Sequence, residues 1–323
     1  MNNIEIKKIK GLRAGMTDKE IIDAKKGKVA ESGSVYKTPK NPVYDVTEED
    51  KEIYLVNLNL KKDIEDERDF RMSSSPLPRF DLPSFVDWTS KMSPVKNQGS
   101  LGSCVGFAIT AMKEFQEQME HEREVAEGKV YNREQDSYDL SEAWVYWNCK
   151  KIDPWPNEEG TSIRYAMQVL KKIGIPCEKA YPYSDRYKGS PERWAKLIAK
   201  WGLIDSYWRC NNLNDLKVGL VSGPVVIGVP CFREIFSVGR NGIIPYPANP
   251  NEVYGGHAIC AVGYNDTKKL VKFKNSWDVS WGENGYGYLP YKYIDDFLWD
   301  AWVAKDLSVT RDIIRERGKD ELI

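Results

Sequence analysis

Histidine is the scarcest chemically active residue in this chain, with only His121 and His257 among 323 positions. The six cysteines, Cys104, Cys149, Cys177, Cys210, Cys231 and Cys260, form no CxxC pair and follow no regular spacing. A zinc site needs closely grouped Cys and His ligands, and a disulfide framework needs a dense set of paired cysteines, so neither organises this chain. Most of the thiols are expected to be buried and reduced, and no metal or other cofactor is called for.

An excess of one charge is also missing, since 47 Lys and Arg stand against 48 Asp and Glu for a formal net charge of −1. That balance leaves no electrostatic footprint for nucleic acid or an anionic membrane. No apolar run reaches the roughly 18 residues of a membrane span. The opening "MNNIEIKKIKGLRAGMTDKE" lacks the apolar stretch and small-residue cleavage site of an export signal. The expectation is a soluble cytoplasmic protein, with no nucleic-acid or membrane partner. The closing "KDELI" is not an endoplasmic-reticulum address, because the final four residues are "DELI".

All eleven tryptophans and all six cysteines fall after residue 80. Residues 1–80 are rich in Lys, Glu and Asp, and read as a leader without a core of its own. Within the leader, "TDKEIIDAKKGKV" predicts a short helix capped by Thr17, "EIYLVNLNL" alternates as a strand, and "RMSSSPLPRFDLP" is a linker. Residues 81–306 form the body, and 307–323 a charged, helix-like tail. At this length the body can bury a large core.

The body changes character along its length. "CVGFAITAMKEFQEQMEHEREV", "LSEAWVYWNCKK" and "TSIRYAMQVLKKIG" carry helical periodicity, with Ser141 and Thr161 as plausible caps. Later, "GPVVIGVPCF", "HAICAVGYND", "KLVKFKNSW", "YGYLPYKYI" and "AWVAKDL" are β-branched or aromatic runs between turn residues. A helical lobe followed by a strand-rich lobe defines an α+β arrangement with a cleft between the lobes.

Cys104 stands where a helix begins, after the turn-rich "KNQGSLGS". Unsatisfied N–H groups and the positive end of the helix dipole favour thiolate there, although structural thiols occupy such positions too. His121 lies on the same predicted helix, roughly 25 Å away at about 1.5 Å per residue, and reads as a solvated surface residue. His257 follows Gly255 and Gly256 at the head of a β-like run, where backbone can approach closely. Asn275 comes 18 positions later in the Gly- and Trp-rich "KNSWDVSWGENGYGYL". Its amide can fix one imidazole nitrogen while the other faces a thiolate, with Trp277 and Trp281 as shields.

The blocks "PVKNQGSLGSCVGFA", "GGHAICAVGY" and "KNSWDVSWGENGYGYL", in that order, resemble the papain-like cysteine peptidases. The resemblance runs over roughly residues 82–306, with "LPSFVDW", "DLSEAWVYW" and "KAYPY" as minor matches. It implies a papain-like two-lobed fold: a helical left lobe, an antiparallel β-barrel-like right lobe and the active-site cleft between. It assigns Cys104 as nucleophile, His257 as general base and acid, Asn275 as the residue orienting the ring, and Gln98, six positions before Cys104, as oxyanion donor. Trp277 would cover the Asn275 to His257 contact. Gly256 lies beside His257, and Gly160 is the nearest substitute for the missing "CxGG" substrate wall, although it also reads as a plain turn glycine.

Departures from the pattern are informative. Leu101 and Val105 replace the Cys and Trp of the usual "CGSCWAF", so the family's first disulfide cannot form. This resembles disulfide-poor, xylellain-like bacterial members that also read "LGSC", and fits a reducing setting. The leader lacks the standard inhibitory helical pattern, yet its place implies an intramolecular inhibitor that crosses the cleft and is cut near residues 72–81. A permanently packed arm is the alternative. The partner implied is a peptide or protein substrate. A transpeptidase or ligase resolving the same thioester with an amine, and a non-catalytic binding protein on the scaffold, remain open.

Overall fold

The computed structural model describes residues 58–72, 81–128, 138–184 and 186–306. The predicted leader helix over 17–29 and the tail helix beyond 307 lie outside the described residues, as does most of the predicted strand "EIYLVNLNL". After the short strand β1 (Phe85–Asp87) comes α1 (Cys104–Ala126), the long helix expected from the apolar spacing of Val105, Ala108, Ile109, Met112 and Phe115. α2 (Glu142–Cys149) starts where Ser141 Oγ accepts the Trp144 amide, as its sequence predicts. Gly106 lets the two helices meet, because a Cβ there would stand 2.8 Å from the Glu142 carbonyl.

α3 (Ile163–Lys172) follows, but Thr161 does not cap it. Ser162 occupies the cap position and makes no cap hydrogen bond. The first turn is capped instead by a carboxylate 101 residues upstream, where Asp63 Oδ1 accepts from the Arg164 amide at 3.1 Å. A long-range cap is invisible to a rule that reads only neighbouring residues.

The second half adds α4 (Arg193–Ala199), β2 (Ile204–Arg209), α5 (Leu213–Ser222), β3 (Val225–Cys231), β4 (Gly255–Asn265), β5 (Leu270–Lys274), β6 (Tyr286–Pro290), α6 (Tyr291–Phe297) and β7 (Asp300–Asp306). The stretch "YGYLPYKYI" is therefore a strand that turns at Pro290 into a helix, a boundary set by proline's lack of an N–H. The strands pair antiparallel in the order β2-β7-β3-β4-β5-β6, with β1 also on β4. Among the described residues this sheet stays open rather than closing into a barrel. The architecture is α+β and papain-like, with α1 packed on β4 and β4 contributing residues to both hydrophobic clusters.

Candidate active site

Cys104 is the first residue of α1 and is fully buried. The loop before it is zipped to the turn after β5: the Gln98 amide donates to Ser276 O at 2.9 Å, and Asn97 bridges Trp277. Tyr183, from "KAYPY", braces the loop from the other side, donating to Gln98 O at 2.7 Å and sitting 2.7 Å from Ser103 Oγ. These bonds fix where the helix begins, and so where the sulfur points.

His257 on β4 is fully buried, with its Nε2 2.8 Å from Asn275 Oδ1. That Asn275 atom also accepts the Ser276 amide at 2.8 Å, which identifies it as the oxygen. Nε2 must then carry the proton, which leaves the lone pair on Nδ1, an atom with no hydrogen-bond partner among the described residues. Trp277 stacks on the imidazole with centroids 4.6 Å apart, and Trp281 meets Trp277 edge-on. Trp277 thus covers the imidazole of His257, while Trp281 backs Trp277 rather than touching the ring. His121 is elsewhere, and its half-buried ring packs against Tyr138 rather than lying in solvent.

Gln98 is completely buried. Ser276 Oγ donates to its Oε1 at 2.7 Å, and its Nε2 donates to Leu101 O at 3.0 Å. Ser276 thus aligns both Asn275 and Gln98, a role sequence reading missed although it stands inside the quoted "KNSW". Behind it, Lys96 Nζ holds Glu114 at 2.9 Å and Glu142 at 2.6 Å, while Lys274 Nζ donates to Ser93. Burial pushes the Glu142 carboxyl up and the Lys274 ammonium down, so this layer stays ordered only while its members pair.

Leader residues lie directly over the thiol. Leu60 N–H donates to Gly256 O at 2.9 Å on one wall, and Lys61 N–H donates to Thr161 O at 3.0 Å on the other. Asn59 bridges Gly256 in parallel fashion and presses on Gly160. Leu58 and Leu60, each 4 % exposed, enter different hydrophobic clusters. The expected cleft-crossing segment is thus residues 58–61, ahead of the acidic "DIEDERDFR". The acidic run instead grips the body: Arg164 pairs with Asp69 and, at 3.2 Å, with Asp66.

Burial under this cover pushes the Cys104 thiol up to about 11, against backbone N–H groups of Ala258, Val105, Cys104 and Asn59 that favour thiolate. The same burial pulls His257 down to about 4, against the Asn275 bond. All six cysteines are free. Among the described residues no group of three or more His, Cys, Asp or Glu side chains could hold a metal ion, and no helix is long and apolar enough to cross a membrane.

Gly160 sits at φ +83°, and a Cβ there would run into Asn59 O. Gly160→Ala is therefore expected to expel the leader and to raise alkylation of Cys104 by at least about 10-fold. Peptide mapping of an iodoacetamide time course would measure it, and an unchanged rate would contradict this packing.

Comparison with known proteins agrees with this geometry. The profile of the papain family cysteine proteases matches residues 82–294. An uncharacterized peptidase C1-like protein of Acanthamoeba polyphaga mimivirus is 30% identical over 74% of this chain and 79% of its own. Papain of Carica papaya is 30% identical over 64% of this chain, a stretch covering 54% of the papain sequence. In structure, xylellain, a cysteine protease from Xylella fastidiosa, superposes with a TM-score of 0.65 at 29% identity, covering 78% of this chain and 96% of that one. The chain belongs to the papain family of cysteine proteases, and its class is that of a thiol hydrolase.

Proposed function

We propose that this protein is a cysteine endopeptidase whose leader, residues 1–80, holds it latent. In this reading Cys104 passes its thiol proton to His257 Nδ1 and attacks the peptide carbonyl as the thiolate, forming a tetrahedral oxyanion. Gln98 and the Cys104 backbone N–H stabilise that oxyanion. His257 protonates the departing amine as the C–N bond breaks, leaving a thioester. His257 then takes a proton from water, whose oxygen attacks the thioester, and the thiol leaves with that proton. Asn275 keeps Nε2 protonated so that Nδ1 does this work, Trp277 keeps water from their bond, and Gly160 and Gly256 are the walls along which substrate backbone lies.

The observation that carries the reading is the leader's hydrogen bonding to both walls, at Gly256 and Thr161, with Asn59 over Cys104. A chain laid across the cleft in this way occupies substrate's place and keeps water from the thiol. Cleavage near residues 72–81 would free the site.

Labelling with an epoxysuccinyl peptide tests the chemistry. After incubation with reductant at several pH values, wild type should shorten and take up label at Cys104, while Cys104→Ala takes up none. Label persisting in the Cys104→Ala variant would remove Cys104 from the mechanism. A wild-type chain fully active without shortening would remove the latency.

A further inference from the structure

Beside the cleft, one leader aspartate is gripped by several body groups at once, in addition to the wall bonds of Leu60 and Lys61 and the Arg164 pairs with Asp66 and Asp69. Asp63 is 5 % exposed. Its Oδ1 accepts the Arg164 amide in the first turn of α3 at 3.1 Å, and its Oδ2 accepts the Trp302 indole N–H at 2.6 Å. Its own N–H donates to Asp300 Oδ2 at 2.9 Å. Arg209 holds the other oxygen of Asp300 at 2.7 Å, with its Nη1 3.9 Å from Asp63. The Arg164 and Arg209 guanidiniums lie 6.0 and 5.6 Å from the Trp302 ring.

These groups read one residue at two points. Asp300 takes the backbone N–H, while the helix end and the indole take the carboxylate, so both the charge and the side-chain length of aspartate are specified. Trp302 is fully buried and an indole N–H can only donate. Ser162, 1 % exposed at the helix cap position, makes no cap hydrogen bond, and its Oγ has no hydrogen-bond partner among the described residues. A body without the leader would keep a buried indole donor, an uncapped helix end and two guanidiniums beside a single carboxylate, a set that favours an incoming anion.

We propose that Arg164 N–H, Trp302, Asp300 and Arg209 form an aspartate receptor at the cleft. Asp63 fills it in cis, and an acidic peptide with the spacing Leu-x-x-Asp, that of Leu60 to Asp63, fills it in trans. The proposal rests on the latency reading, because only a leader that leaves exposes the receptor. It deepens that reading by naming the peptide class that the emptied site selects, whether the peptide arrives as substrate or as inhibitor.

The test uses the full chain carrying Asp63→Asn and two synthetic peptides of residues 58–72, one with the native Asp63 and one with Asn in its place. The variant is expected to alkylate at Cys104 at least about 10-fold faster than wild type. The native peptide should slow that alkylation at a concentration roughly 30-fold below its amide twin. The tethered leader competes equally against both peptides, so their ratio is insensitive to it. Equal protection by the twins, or protection by neither, overturns the receptor while a slow wild-type rate keeps the latency reading intact. A wild-type chain that alkylates as fast as Asp63→Asn, with no effect of either peptide, sinks the latency reading itself.

Discussion

His257→Ala is expected to lower kcat/KM for a peptide substrate by at least about 10⁴-fold, with Cys104 intact. The imidazole has two duties in the proposed cycle, protonating the leaving amine and activating the hydrolytic water, and neither proceeds well without it. The other histidine cannot substitute, since His121 is on another part of α1 against Tyr138. Gln98→Ala is expected to cost less, roughly 100- to 1000-fold, because it removes one oxyanion donor and leaves nucleophile and base in place. Steady-state kinetics on both variants after leader release would show the order of the losses. A His257→Ala loss smaller than that of Gln98→Ala would contradict the assignment of roles.

The second large effect concerns pH. With the leader in place the thiol is pushed up to about 11 and the imidazole down to about 4 by burial, so both groups are neutral between those values. At pH 7 the thiolate fraction is then about 10⁻⁴, from the four-unit gap. Uncovering returns water to both groups. The thiol falls to its ordinary value near 9 or below it, the imidazole rises, and reactivity at pH 7 is expected to climb at least about 100-fold. The covered chain should alkylate about tenfold faster per pH unit up to about pH 11, whereas Gly160→Ala should level off below pH 9. Mapping the modified peptide is essential, because Cys177 is only half-buried and reports a background rate. Identical pH profiles for the two chains would mean that the leader does not control the thiol.

Much of the site was legible because its chemistry is written in local blocks. Cys104 at a helix start, His257 after two glycines and Asn275 in a Trp-rich turn are each readable from a few neighbours, and the structure brings His257 and Asn275 to 2.8 Å. Ser276 was not legible, since a serine in a turn has many uses and its link to Gln98 spans 178 residues. The cap of α3 failed for the same reason: Thr161 looks like a cap in the sequence, but the first turn is satisfied by the tertiary partner Asp63. Of the predicted leader strand "EIYLVNLNL" only Leu58, Asn59 and Leu60 are described, and its alternation does not say that Asn59 and Leu60 lie against Gly256. The run "YKYI" was misread because β-branched and aromatic residues suit strands, while the turn at Pro290 decides otherwise.

Leu58 and Leu60, two positions apart on one segment, enter separate hydrophobic clusters. A segment rooted in both acts as a strut, so opening one cluster strips apolar cover from the other. The strut therefore ties the packing of the two clusters together. In the latency reading, cutting the strut away leaves β4, whose alternate residues enter the two clusters, as the tie between them, and the cleft gains its freedom in the same step that uncovers the sulfur.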